Sequence, residues 1–178
     1  MKYLPILLIV LAGTGCGDHY DRLEEKYKSK VPLNIESVQS NSISIVNQQH
    51  TSIFNSDFVI VGVGPQHIDI SHYYPLKLFF GDVSVPSKDV YGCSISCFKN
   101  DMRNTNLLLA DIGTKLSIKN TSALVDWCWS NKLPIVPYKV EKDWLYKQVS
   151  LPNRSEFSGQ FKSRDEYDYL VARSCNGY

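Results

Sequence analysis

The tightest constraint on the fold of this chain is a recurring period of two. LNIES (33–37), SISIVN (42–47), HIDIS (67–71) and YGCSISCF (91–98) all alternate apolar and polar residues. That period puts every second side chain on one face of an extended strand, so each stretch reads as a half-buried β-strand. DFVIVGV (57–63) is denser in apolar residues and reads as a central strand, ended by a Gly64-Pro65 turn. Residues 76–80 and 82–85 read as another pair, broken near Gly81 and closed by Pro86. Residues 107–110 and 115–119 are two more, and 135–140, 145–151 and 167–174 complete the set. One segment, 121–131, has helical spacing. Ser122 can cap it, Ala123, Leu124, Trp127 and Cys128 share a face, and Lys132 and Pro134 close it. Short strands with a single helix predict a mainly β chain, an antiparallel β-sandwich of which the immunoglobulin fold is one form. Eleven Tyr and seven Phe suit sheets better than helices.

The N-terminus follows other rules. After Lys2, residues 4–12 form an apolar run within the ~7–15 residues of a secretory core and short of the ~20 needed to span a bilayer. Gly13, Thr14 and Gly15 are small, as a signal peptidase requires, and Cys16 follows. Residues 1–15 therefore read as a signal peptide. Cleavage leaves two options for Cys16, a free N-terminal thiol or a lipidated one. Cysteine arithmetic favours the lipid. The chain has five cysteines, an exported chain avoids an odd thiol, and acylating Cys16 leaves an even set. Residues 16–31 then read as a lipidated N-terminus and a polar tether, with a helical turn or two around 21–28. Residues 32–178 form a single β-rich domain, large enough for its own core.

The even set is Cys93, Cys97, Cys128 and Cys175. On one strand Cys93 and Cys97 would lie about 13 Å apart at ~3.3 Å per residue. A disulfide tolerates at most about 7 Å between Cα atoms, so they do not pair with each other. Two connectivities survive. We favour Cys93–Cys175 with Cys97–Cys128 over Cys93–Cys128 with Cys97–Cys175. A zinc site fits worse, because zinc ligands usually arrive in close pairs and only one such spacing is present.

Composition and motifs exclude more than they assign. The net charge is +1 with both signs interspersed, so no nucleic-acid partner is expected. Ser96-Cys-Phe-Lys99 matches Ser-x-x-Lys, but the companion Ser-Asp-Asn and Lys-Thr-Gly motifs are absent. Val61-Gly-Val-Gly64-Pro lacks the third glycine of a dinucleotide loop. His67 and Asp69 share a strand face, but His72 points the other way, which spoils a three-ligand metal site. The charged run 162–168 reads as a solvated loop. No catalytic residue, metal or cofactor is expected. Trp127 belongs to the helix's core stripe, which leaves Trp129 more exposed. Trp129, with Tyr73 and Tyr74 before Pro75, is a candidate partner contact, weighed against packing at the core edge.

Gly13-Thr14-Gly15-Cys16 resembles a bacterial lipobox, although Gly13 stands where that box carries Leu, Val or Ile. Gly17 after the cysteine is what that resemblance associates with the outer membrane. Thr14-Gly-Cys-Gly-Asp18 and the layout of Ser42-Ile-Ser-Ile-Val46 resemble small Gram-negative lipoproteins that serve as type VI secretion immunity proteins. The resemblance implies a non-enzymatic, lipid-anchored protein facing the periplasm that binds and neutralises a toxin effector. A soluble periplasmic or secreted protein, an envelope assembly lipoprotein, and a hydrolase with an unrecognised site are the alternatives.

Overall fold

The computed structural model describes residues 17–33, 35, 38–48, 53–98, 101–119, 121–157 and 161–175. The signal segment 1–15, Cys16 and Lys99 lie outside the described residues, as does the Cys175 side chain.

Two antiparallel sheets pack face to face. The first has four strands: β1 (Val38–Ser40), β4 (Val59–Val63), β5 (His67–His72) and β6 (Val83–Pro86), in the order β1-β4-β5-β6. The second has five: β2 (Ile43–Asn47), β3 (Ile53–Ser56), β7 (Gly92–Phe98), β8 (Asp101–Leu109) and β9 (Thr114–Lys119), in the order β3-β2-β9-β8-β7. The alternation read from the sequence is what fills the space between them. Ile45, Leu116, Leu107 and Cys93 are matched across one ladder and all are buried. Val61, Ile70 and Val83 face them from the other sheet. The β8–β9 turn closes through Gly113, whose φ of 60° is left-handed and favours glycine.

The segment expected to be a solvated tether is instead a core element. Helix α1 (Gly17–Tyr27) lies against β2, β3 and β6, closing the side of the sandwich between edge strands β3 and β6. Tyr20, Leu23 and Tyr27 are buried in the main core. Their spacing of three and four puts them on one helical face. Gly81 lets the helix approach closely. Its carbonyl accepts from the Tyr20 hydroxyl at 2.8 Å, its amide donates to Glu24 at 3.0 Å, and a Cβ there would stand 2.6 Å from the Glu24 carboxylate.

Helix α2 (Ser122–Ser130) stands where the spacing predicts, though Thr121 rather than Ser122 caps it, accepting from the Leu124 amide at 3.3 Å. Three expected strands are overturned by two helices: α3 (Tyr138–Lys147) runs into both 135–140 and 145–151, and α4 (Arg164–Cys175) covers 167–174. The pair expected at 76–80 and 82–85 is a 3-10 turn (Leu76–Leu78) followed by strand β6. Helix α3 covers the outer face of the five-stranded sheet, where Trp144 and Leu145 pack on Val46 and Leu108. Beside them lies a buried polar network. Glu141 pairs with Lys115 at 2.9 Å and accepts from Ser94 and from Asn106, the latter at 3.1 Å. Asn106 also donates to Ser96 at 2.8 Å and accepts from Ser117 at 2.7 Å.

The favoured disulfide pairing is overturned. Cys93 is bonded to Cys128, with Cα atoms 6.4 Å apart, and not to Cys175. Both sulfurs are buried where β7 meets α2. Cys97 is also disulfide-bonded, so its expected pairing with Cys128 does not hold. The Cys93–Cys128 link closes a loop with a sequence separation of 35, which in the chain-entropy account stabilises the fold by about 3–4 kcal/mol.

Candidate functional site

The three expected contact residues fall on two separate surfaces. Helix α2 ends beside the β4–β5 turn, where the Asn131 amide donates to the Pro65 carbonyl at 3.0 Å. Tyr73 follows the opposite end of β5, about 20 Å away at ~3.3 Å per residue.

At the Trp129 end the chain builds a cleft. Helix α2 stops in a turn where the Leu133 amide bonds the Cys128 carbonyl at 2.9 Å and Lys132 takes a left-handed φ of 54°. Trp129 is thereby half-buried at the helix's edge. It packs on Phe161 with ring centroids 5.3 Å apart and on Tyr167 at 5.5 Å, and those two meet edge to face at 4.8 Å. Tyr167 is fully buried, and burial pushes its hydroxyl pKa far up, so it stays neutral. The cluster is half core and half surface: one side of Trp129 packs at the core edge on Phe161 and Tyr167, and the residue also lines an open cleft.

From this floor a cleft of about 470 Å³ opens, walled by Trp129, Phe157 and Phe161. Its rim carries Lys132, Arg154 and Lys162, and no acidic side chain lines it among the described residues. Arg164 behind it is held by Asp126 at 2.7 Å and by Asp168 at 2.9 Å, while the Glu166 carboxylate is engaged by the backbone amide of Lys162. Sequence reasoning found Trp129 but missed Phe157, Phe161 and the rim cations. Their spacing along the chain carries no signal, because α4 and the segment before it come to α2 only through tertiary packing. An apolar floor with a basic rim suits an aromatic or aliphatic anchor flanked by carboxylates.

The other clusters explain themselves structurally. The hollow between α1 and the β8–β9 turn is spanned by Lys26–Asp111 at 2.9 Å. His67 and Asp69 share the outer face of β5 at 3.3 Å, and Asp69 accepts from Ser84 at 2.7 Å. His72 does turn away from them, into the core. It stacks on Phe80 at 4.9 Å and meets Tyr20 edge-on at 4.9 Å. Burial pushes its pKa down to about 4, against the pull of Asp82 and Glu24. Burial also pushes the Glu24 carboxyl up, but Lys28 and the Gly81 amide outweigh it and hold the group below its usual range. Likewise Ser71, the Leu33 amide and Lys77 outweigh burial at Asp82.

Between pH 6.5 and 4 the unfolded chain binds a proton at His72 that the folded chain refuses, so stability falls as pH falls through that window. The expected loss is about 3 kcal/mol by pH 4. Glu24 and Asp82 add their own loss only below about pH 4.5. His72→Leu removes the loss between pH 6.5 and about 4.5 whatever its effect on stability at neutral pH. Urea denaturation at several pH values checks this.

Among the described residues no three His, Cys, Asp or Glu side chains are placed to hold one metal ion. No described helix is long and apolar enough to cross a membrane. In comparisons with known proteins, no family model, no curated protein and no solved structure matches this chain.

Proposed function

We propose that this protein is a non-enzymatic, lipid-anchored protein of the outer membrane that faces the periplasm and neutralises a toxin by binding it through the Trp129 cleft. The observation that carries the reading is the cleft itself, three aromatic rings under a rim of Lys132, Arg154 and Lys162. Tryptophan and arginine are the side chains that most often dominate protein–protein binding energy, and a uniformly basic rim favours an acidic partner. The Cys93–Cys128 bond supports export, since such bonds persist in oxidising compartments. The N-terminal resemblance supplies the anchor and the immunity role.

The test pairs capture with protection. Protein tagged at its C-terminus is captured from cell envelopes, and bound proteins are identified by mass spectrometry. A single acidic effector should be recovered by the wild-type chain. Arg154→Glu with Lys162→Glu should weaken its recovery at least about tenfold, because two attractive rim charges become repulsive. Cells lacking the protein should be killed by sister cells that deliver the effector, and the wild-type gene should rescue them. Rescue by the charge-reversed protein at full efficiency removes the cleft from the reading. Equal survival with and without the gene removes the immunity role.

A further inference from the structure

The end of the sandwich opposite the Trp129 cleft carries an apolar tip. Tyr74 is 79% exposed, Leu78 68%, Phe79 64% and Phe58 64%, with Tyr73 beside them. The loop after β5 and the turn before β4 are tied together by the Tyr73 amide donating to the Phe58 carbonyl at 3.0 Å. The one cation of the loop, Lys77, is drawn to Asp82 at 3.4 Å.

Two features distinguish this tip from a loop that is merely greasy. The first is that four successive amides of its backbone are satisfied from within. The amides of Lys77, Leu78, Phe79 and Phe80 donate to the carbonyls of Tyr73, Pro75, Leu76 and Leu76. A bilayer interface penalises unpaired peptide groups, and this loop presents none of those four. The second is where the chain enters the fold. Tyr20, in the first turn of α1, packs on Phe80 at 5.3 Å and on His72 at 4.9 Å, the two residues that bracket the loop. Helix α1 begins at Gly17, only about 5 Å before Tyr20 at 1.5 Å per residue. Gly17, which follows Cys16 directly in the sequence, therefore enters the fold on the side of the tip.

We propose that the tip formed by Phe58, Tyr73, Tyr74, Leu78 and Phe79 is a bilayer-contacting surface that lies in the lipid interface next to the chain's N-terminus. Tyrosine and phenylalanine are at home at that depth. With an acylated Cys16, which rests on the function proposed above, the tip and the acyl chains form two attachments on the same side of the domain. They fix the domain's orientation and leave the Trp129 cleft at the far end, facing the periplasm. Tyr73 and Tyr74 then serve lipid rather than a protein partner.

The test uses the full mature chain in vesicles of phosphatidylethanolamine and phosphatidylglycerol, with and without bromine on the acyl chains. Leu78→Trp should gain fluorescence over wild type that brominated lipid quenches. Tyr169→Trp, equally exposed but on α4, should gain fluorescence that it does not quench. For chain lacking an acyl group, Leu78→Ser with Phe79→Ser should lower vesicle affinity at least about tenfold. Fluorescence of the Leu78→Trp variant that brominated lipid leaves unquenched overturns the proposal, and so does quenching of both reporters alike. A dimer joined through this tip, or residues 4–12 retained and covering it, also overturns it. Mass spectrometry of the mature chain reports acylation separately. Quenching of the Leu78→Trp reporter in an unacylated chain upholds the tip while removing the lipid anchor.

Discussion

Tyr20→Ala combined with Leu23→Ala is expected to leave the domain largely unfolded at about 25 °C. Both side chains are fully buried in the main core, and α1 reaches that core through them and Tyr27. A buried aromatic truncated to alanine costs about 3–5 kcal/mol and a buried leucine about 2–5 kcal/mol. The two are neighbours on one helix face, so the sum is not strictly additive. Even so, the combined loss is comparable with the whole stability of a typical domain, about 5–15 kcal/mol. The Tyr20 change also removes the donor to the Gly81 carbonyl and one ring of the stack with His72 and Phe80. Circular dichroism during thermal and urea unfolding reads the result. A tether predicts no change in midpoint, so a double variant as stable as wild type would show α1 to be dispensable. A soluble fragment cut within 17–27 lacks part of the core and will not report on the native domain.

Glu141→Ala is expected to cost about 3 kcal/mol. Its carboxylate is the shared partner of Lys115, Ser94 and Asn106 beneath α3. Removing it leaves an ammonium whose side chain is only 13% exposed and a Ser94 hydroxyl that loses its acceptor, while the Asn106 amide keeps Ser94 and Ser96. Breaking one half of a buried pair typically costs about 3–5 kcal/mol, and the remaining exposure of Lys115 argues for the lower end. Replacing the pair together, Lys115→Met with Glu141→Leu, should recover much of the loss, because the stranded charge is gone. A double-mutant cycle by urea denaturation checks both. Glu141→Ala within about 1 kcal/mol of wild type would mean that apolar packing by Trp144 and Leu145 alone holds α3 in place.

The two helices read as strands were legible in part. Val140, Glu141, Trp144 and Leu145 are spaced for one helix face, and Ser163 with Glu166 is a capping pair. In the structure the Glu166 amide donates to the Ser163 hydroxyl at 3.3 Å, and the Glu166 carboxylate reaches back to the Lys162 amide. Aromatic and β-branched composition outweighs these cues in the sequence, yet both helices take their conformation from the sheet they cover. Strand β3 was not legible because IFNS (53–56) is too short for a period to show.

By itself the sequence determined the strands of the sandwich, since alternation in β2, β5 and β7 puts an apolar set on one face of each strand. It also determined α2, whose apolar spacing and flanking cap need no outside partner. Tertiary structure alone decided that 17–27 belongs to the core, because its polar residues outnumber its apolar ones and only the gap between β3 and β6 gives its one apolar face somewhere to go. It alone decided that Cys93 pairs with Cys128, and that Trp129 shares a cleft with Phe157 and Phe161. Those are meetings of residues far apart along the chain, and local periodicity carries no information about which distant surfaces come to face each other.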